Sequence, residues 1–250
     1  MAGGFATVRH WDNVPEAFKG LSVALGNFDG LHRGHIAVLD AARAAAGHRG
    51  CGWGLVTFEP PPRLWFNPSS EAFRIMTPAR RAVITAEMGA SAVFELPFDG
   101  RLAALTDEEF VVQVLHEGLG ITHVSVGADY RFGRARMGDT RSLARHAIGV
   151  GIGVSTVEAL GVQEGPEKIS SSAIRDALRE GRPRDAARAL GRWWVAEGEV
   201  VHGEKRGRTL GFPTANITLG ELVAPRFGVY AVRVRIDGAE PWHAGVASFG

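Results

Sequence analysis

The feature that most constrains the fold is an alternation running through the first three quarters of the chain. Short apolar runs recur at "LSVAL" (21–25), "GWGLVTF" (52–58), "SAVFEL" (91–96), "HVSVG" (123–127) and "GVSTVEA" (153–159). Helical patterns separate them, among them "IAVLDAARAAAG" (36–47) and a stretch around "DTRSLARHA". A sheet covered on both faces requires continuous apolar strands, and helical crossovers between them make it parallel. The alternation therefore predicts a doubly wound α/β unit. Local signals agree: Thr77 before Pro78 predicts a helix start, and Thr106 followed by Glu109 predicts a capping box. Ligands of such sheets bind beyond the carboxyl ends of the strands. The loop after the first run, "GNFDGLHRGH" (26–35), lies at such an end.

That loop carries His32 and His35, which share one face if they open a helix. A helix N-terminus offers unpaired N–H groups and a positive dipole end to an anion. Gly34 between the histidines lets a ligand approach the backbone. Two imidazoles can donate hydrogen bonds to a polyphosphate and stabilise charge growing there. They could also ligate zinc, but no third ligand stands at recognisable spacing. In "KISSSAIRDAL" (168–178) the serines can simply cap a helix, or together with Arg175 they can hold a triphosphate. "GADYRFGRARMGD" (127–139) is either a solvated loop over a buried Phe132 or a ring-binding surface anchored by Asp129.

The texture changes near 182–192, where "PRDAARALGR" forms a short helical bridge. Beyond it "WWVAEGEVVHG", "GVYAVRVRID" and "PWHAGVASFG" alternate as antiparallel strands do. A boundary at about 185 then divides a unit of residues 1–185 from one of 186–250. In the second, "GEKRGRTLGFPTANI" (203–217) joins a basic glycine-rich loop to Thr214 and Asn216. Their oxygens are hard ligands suited to Mg²⁺ held against a nucleotide's phosphates. The Gly-Lys-Ser/Thr ending of a Walker A loop is missing. A net charge of +1 with interspersed signs gives no global field for a nucleic-acid partner. Cys51, the one cysteine, excludes an intrachain disulfide. No apolar stretch approaches the ~20 residues of a membrane span, nor is there a secretory signal, so a cytoplasmic protein without membrane partners is expected.

"GNFDGLHRGH", "TFEPPP", "GADYRFG", "ISSSAIR" and "GRTLGFPTAN", in that order, resemble the bacterial bifunctional riboflavin kinase/FMN adenylyltransferases, or FAD synthetases. The resemblance spans roughly residues 20 to 250. It implies a Rossmann-like nucleotidyltransferase unit that joins FMN to AMP from ATP, releasing pyrophosphate. After it would come an antiparallel β-barrel, incomplete in this chain, of the kind that phosphorylates riboflavin. By position, His32, His35 and Arg175 would be catalytic, with Gly26, Asn27, Phe28, Asp29, Gly34, Ser171 and Ser172 around the ATP. Phe58, Pro60, Pro62 and Asp129 would border the flavin. Gly207, Arg208, Thr214 and Asn216 would hold the kinase nucleotide, the last two with Mg²⁺. ATP, FMN and riboflavin would be substrates. Pro61 stands where the family usually has histidine, and Ser172 where it usually has threonine. The family's kinase glutamate lies downstream of Gly250, so this chain is expected to lack riboflavin kinase activity. The alternatives are another nucleotidyltransferase of the His-x-Gly-His class, against which "GFPTAN" argues, or a non-catalytic flavin-binding module.

Overall fold

The apolar runs become strands of one sheet in the computed structural model, which describes residues 4–69, 71–158, 169–201, 214–238 and 240–250. The strands are β1 (Ala6–Val8), β2 (Ser22–Leu25), β3 (Trp53–Glu59), β4 (Ala92–Pro97), β5 (His123–Gly127) and β6 (Gly153–Val157). They lie in the order β1-β4-β3-β2-β5-β6, every pair parallel. Alternate residues of each strand feed opposite layers, as the period of two requires. Val23, Leu25, Val56 and Phe94 enter one core, while Ala24, Leu55 and Val93 enter the other. Both faces are covered, so even the polar residues within these runs, such as Ser22, Thr57, Glu95 and Ser125, are buried.

The helices are α1 (Arg33–Arg49), α2 (Pro62–Phe66), α3 (Pro78–Glu87), α4 (Gly100–Ala104), α5 (Asp107–Glu109), α6 (Thr140–Gly149), α7 (Ser171–Arg179) and α8 (Pro183–Leu190). α5 runs directly into a π-helix over Phe110–Gly118. Val38, Leu39 and Ala42 of α1 pack on one face. Phe110, Val114 and Leu115 of the π-helix and Leu143 of α6 pack on the other. The starts form as their residues dictate. Thr77 Oγ1 accepts from Arg80 N at 3.1 Å, and Thr106 and Glu109 make the reciprocal capping box.

The chain steps outward from β2 through β3 to β4, then crosses back to β5 on the other side of β2. The carboxyl ends of β2 and β5 thus flank a topological switch point, the place where doubly wound sheets hold ligands.

After α8 the architecture becomes antiparallel: β7 (Val200–Val201) pairs with β8 (Asn216–Ile217), and β9 (Gly228–Val234) with β10 (His243–Phe249). Of the described part of "WWVAEGEVVHG", only Val200–Val201 is strand. Trp194 instead joins a third core with Ile75, Ile174, Leu178, Ala186, Leu190 and Val223, and its Nε1–H donates to Ile75 O at 2.8 Å. An indole gains more from a core with a carbonyl at its edge than from a sheet face. The chain returns to the first unit once more, where Val223 N donates to Arg74 O at 2.8 Å and Arg226 N to Leu178 O at 3.0 Å. No helix among the described residues is long and apolar enough to cross a membrane.

Candidate active site

The loop between β2 and α1 folds tightly because several residues adopt left-handed conformations. Phe28 has φ 48°, Gly30 φ 89° and Leu31 φ 43°. The glycine is natural there, whereas Phe and Leu in that region cost about 1–3 kcal/mol each. Both side chains are buried, at 2% and 0% exposure, so packing holds them. The chain then enters α1 with His32 as its N-cap: His32 Nδ1 accepts from His35 N at 3.2 Å. The two imidazoles stack with centroids 3.6 Å apart and planes 16° from parallel. Phe28 meets the His35 ring edge-on at 5.2 Å. A Cβ at Gly34 would lie 3.2 Å from the His32 ring, and one at Gly26 3.2 Å from the Phe28 ring. These glycines therefore make room for the loop's own rings.

Because His32 Nδ1 is an acceptor, the neutral ring carries its proton on Nε2. Burial lowers the His32 pKa to about 4; a hydrogen bond to its own backbone opposes this, and the charges of Arg175 and Arg192 add to it. His35 is held well below the ordinary value by burial first, then by His32, Arg175 and Arg192. Both rings are neutral at pH 7. His35 Nδ1 is buried without a hydrogen-bond partner among the described residues, a costly state for a polar atom.

Asp29 is the strut of the loop. Its Oδ1 accepts from Ile75 N at 2.8 Å and its Oδ2 from Arg175 Nη2 at 2.7 Å. Its carbonyl accepts from Ser171 Oγ at 2.9 Å. The cap of α7 is Ser170, whose Oγ accepts from Ala173 N. Arg175 also donates Nε–H to Phe73 O at 2.7 Å and lies over the Phe73 ring. The structure thus brings the serine-arginine motif onto the histidine loop across 142 and 146 residues of sequence. Ser172 is exposed at the start of α7, and Asn27 is exposed at the carboxyl end of β2. The Asn27 carbonyl accepts from Thr57 Oγ1 at 3.1 Å.

A ladder of aromatic rings runs beside this loop. Phe58, at the end of β3, meets Phe98 edge-on at 5.9 Å and Phe110 at 6.2 Å. Phe66 of α2 meets Phe98 at 5.8 Å and is 70% exposed, and Trp65 is exposed beside it. Phe110 continues to Phe132, and Tyr130 stacks on Phe132 at 5.8 Å. Pro60 is exposed, Pro61 caps α2 without a side-chain bond, and Pro62 is its first residue. Asp129 is exposed just beyond β5. The apolar spacing marks Phe66 and Phe98 only as hydrophobic, so the ladder itself is a tertiary finding.

Other participants escape sequence reasoning. Arg74 is buried and paired with Glu59 and Glu221, and Arg192 bonds carbonyls of the histidine loop. In the second unit Thr214 and Asn216 are exposed, Asn216 opening β8, while Gly207 and Arg208 lie outside the described residues.

Comparison with known proteins agrees with this geometry. The FAD synthetase family model matches residues 14–173 and the riboflavin kinase model residues 190–250. The second match shows a riboflavin kinase segment in this chain, as the domain reading expected, and the expectation that the chain lacks the kinase activity is not borne out. The bifunctional riboflavin kinase/FMN adenylyltransferase of Pseudomonas fluorescens is 40% identical over 97% of this chain and 76% of its own length. That of Listeria monocytogenes is 37% identical over 98% and 75%, and that of Escherichia coli K12 37% over 93% and 73%. A crystal structure described as a macrolide-efflux protein from Streptococcus pneumoniae superposes with TM-score 0.84 and 29% identity, over 98% of this chain and 79% of that one. The chain belongs to the family of bifunctional riboflavin kinase/FMN adenylyltransferases.

Proposed function

We propose that the first unit makes FAD: a phosphate oxygen of FMN attacks the α-phosphorus of ATP, the α–β phosphoanhydride bond breaks, and pyrophosphate leaves. The observation that carries this reading is the stacked, neutral His32–His35 pair at the switch point, with His35 Nδ1 unpaired among the described residues. His32 Nε2–H faces a charge that grows on the phosphates, and Arg175 adds fixed positive charge beside it. No covalent protein intermediate is required; positioning and charge stabilisation suffice. The N-termini of α1 and α7, with Asn27 and Ser172 exposed beside them, suit the triphosphate. The exposed Phe66 and Trp65, next to Phe58, Phe98, Pro60 and Pro62, suit a flat ring, with Asp129 as polar rim.

The second unit phosphorylates riboflavin in this reading. Thr214 and Asn216 fit Mg²⁺: both carry oxygen donors, both are exposed, and they stand two positions apart at the start of β8. The ion would shield the nucleotide's phosphate charge there. The division of labour falls near residue 185, between the two matched segments, although that position lies within α8, which shares one core with α7.

The test is incubation of the protein with FMN, ATP and Mg²⁺, followed by chromatography for FAD and a coupled assay for pyrophosphate. Stoichiometric FAD and pyrophosphate, abolished by EDTA, is the expected result. Absence of FAD, or FAD formation untouched by EDTA, overturns the reading or its metal dependence respectively.

A further inference from the structure

Arg192 lies in the segment matched by the riboflavin kinase model, yet its side chain reaches the other unit. Its Nη1 donates to Leu31 O at 3.0 Å and its Nη2 to Gly30 O at 2.5 Å. These two successive carbonyls precede His32, the N-cap of α1. They belong to the turn in which Phe28, Gly30 and Leu31 all have positive φ. From this geometry we infer that Arg192 is a positioning residue for adenylyl transfer, a clamp from the kinase segment that holds the histidine loop in its working shape. The inference rests on the function proposed above for that loop.

The argument is geometric. A left-handed turn with non-glycine residues is costly and persists only where its surroundings fix it. On one side the turn is fixed by Asp29, through Ile75 N and Arg175. On the other side the planar guanidinium spans two adjacent peptide units, setting their relative orientation. A rotation of the peptide between Leu31 and His32 would swing the His32 ring, and with it the stacked His35. Arg192 is itself held in place: Gly191 ends α8 with φ 75°, and Trp194 anchors the chain beyond in the third core. A lysine at 192 is a point charge without the fork, so it can satisfy one carbonyl but cannot fix the angle between two.

The test compares full-length Arg192→Ala and Arg192→Lys with the natural protein. Displacement of a reacting group by about 1 Å costs about 10²-fold in rate. The alanine variant is therefore expected to lose about 10²-fold in kcat for FAD formation while KM for FMN stays within twofold. Added guanidinium at millimolar concentration restores part of the rate, the lysine variant lies between, and amide hydrogen exchange quickens across residues 28–35. An alanine variant that keeps more than half the natural rate, or a loss that guanidinium does not relieve and exchange spreads over the whole sheet, overturns the inference. If the natural protein itself makes no FAD, the proposed function fails instead, and exchange at residues 28–35 alone decides whether Arg192 clamps the loop.

Discussion

Acid should disable the first unit through its buried histidines. His32 is 7% exposed and burial lowers its pKa from 6.5 to about 4. Between those values the unfolded chain binds a proton that the folded protein refuses, so stability rises with pH across this window. The contribution is complete above 6.5 and is lost as pH falls toward 4. The interval corresponds to about 3 kcal/mol. His123, held between Ser22 Oγ and Ser155 Oγ at the opposite end of β5, also titrates at about 4, from burial first and Arg49 second, and adds a comparable amount. Against a typical stability of about 5–15 kcal/mol, two such groups bring unfolding within reach of pH 4–5. Urea unfolding followed by tryptophan fluorescence, repeated from pH 7.5 to 5, measures the slope. Near pH 5.5 the His32→Gln variant should lose close to one proton from it, about 1.4 kcal/mol per pH unit. FAD formation by the natural protein should stay level between pH 6.5 and 8, since neither active-site ring gains or loses a proton there. A slope unchanged in His32→Gln, or an NMR titration of His32 near 6.5, would refute the reasoning.

His35→Ala should slow FAD formation by about 10²–10³-fold, beyond the loss of stability expected from removing a ring stacked on His32, and normal turnover would mean the ring serves packing only. Asp29→Asn removes the negative partner of Arg175 and should cost about 1.5–3 kcal/mol of stability while raising KM for ATP; identical melting and KM would show that the strut is dispensable. Pro61→His restores the family's side chain at the N-cap of α2, beside the aromatic ladder, and should raise kcat/KM for FMN; unchanged constants would mean that the position has no role here.

The sheet was legible because both of its faces are covered. β2 to β6 read as short, predominantly apolar runs, and β5 emerged with the predicted ends, His123 and Gly127. β1 went unseen because three residues of edge strand carry no pattern. The capping box at Thr106 was legible but the π-helix that follows was not, since its apolar spacing also suits an α-helix. In the site, the histidine pair and the serine-arginine motif announced themselves by composition. The contacts that tie Asp29 to Arg175 and Arg192 to Gly30 join residues 146 and 162 positions apart, a distance at which no local pattern speaks. Trp194 misled in the other direction: within an alternating run it resembled a strand residue, and a distant core took it instead.

The two units are stitched at two kinds of seam, and the difference governs how chimeras between relatives would behave. Arg192 reads main-chain oxygens of residues 30 and 31, which every sequence supplies. Its half of the junction can be transplanted as a single residue, provided the recipient loop takes the same path. Arg74 meets Glu221 through side chains on both sides, so that seam must travel as a matched pair. Exchanging the second unit alone, with a neutral residue at 221, would leave Arg74 buried against Glu59 with one of its two carboxylate partners gone. A grafted kinase unit would therefore inherit the clamp for free but would need its acidic residue specified.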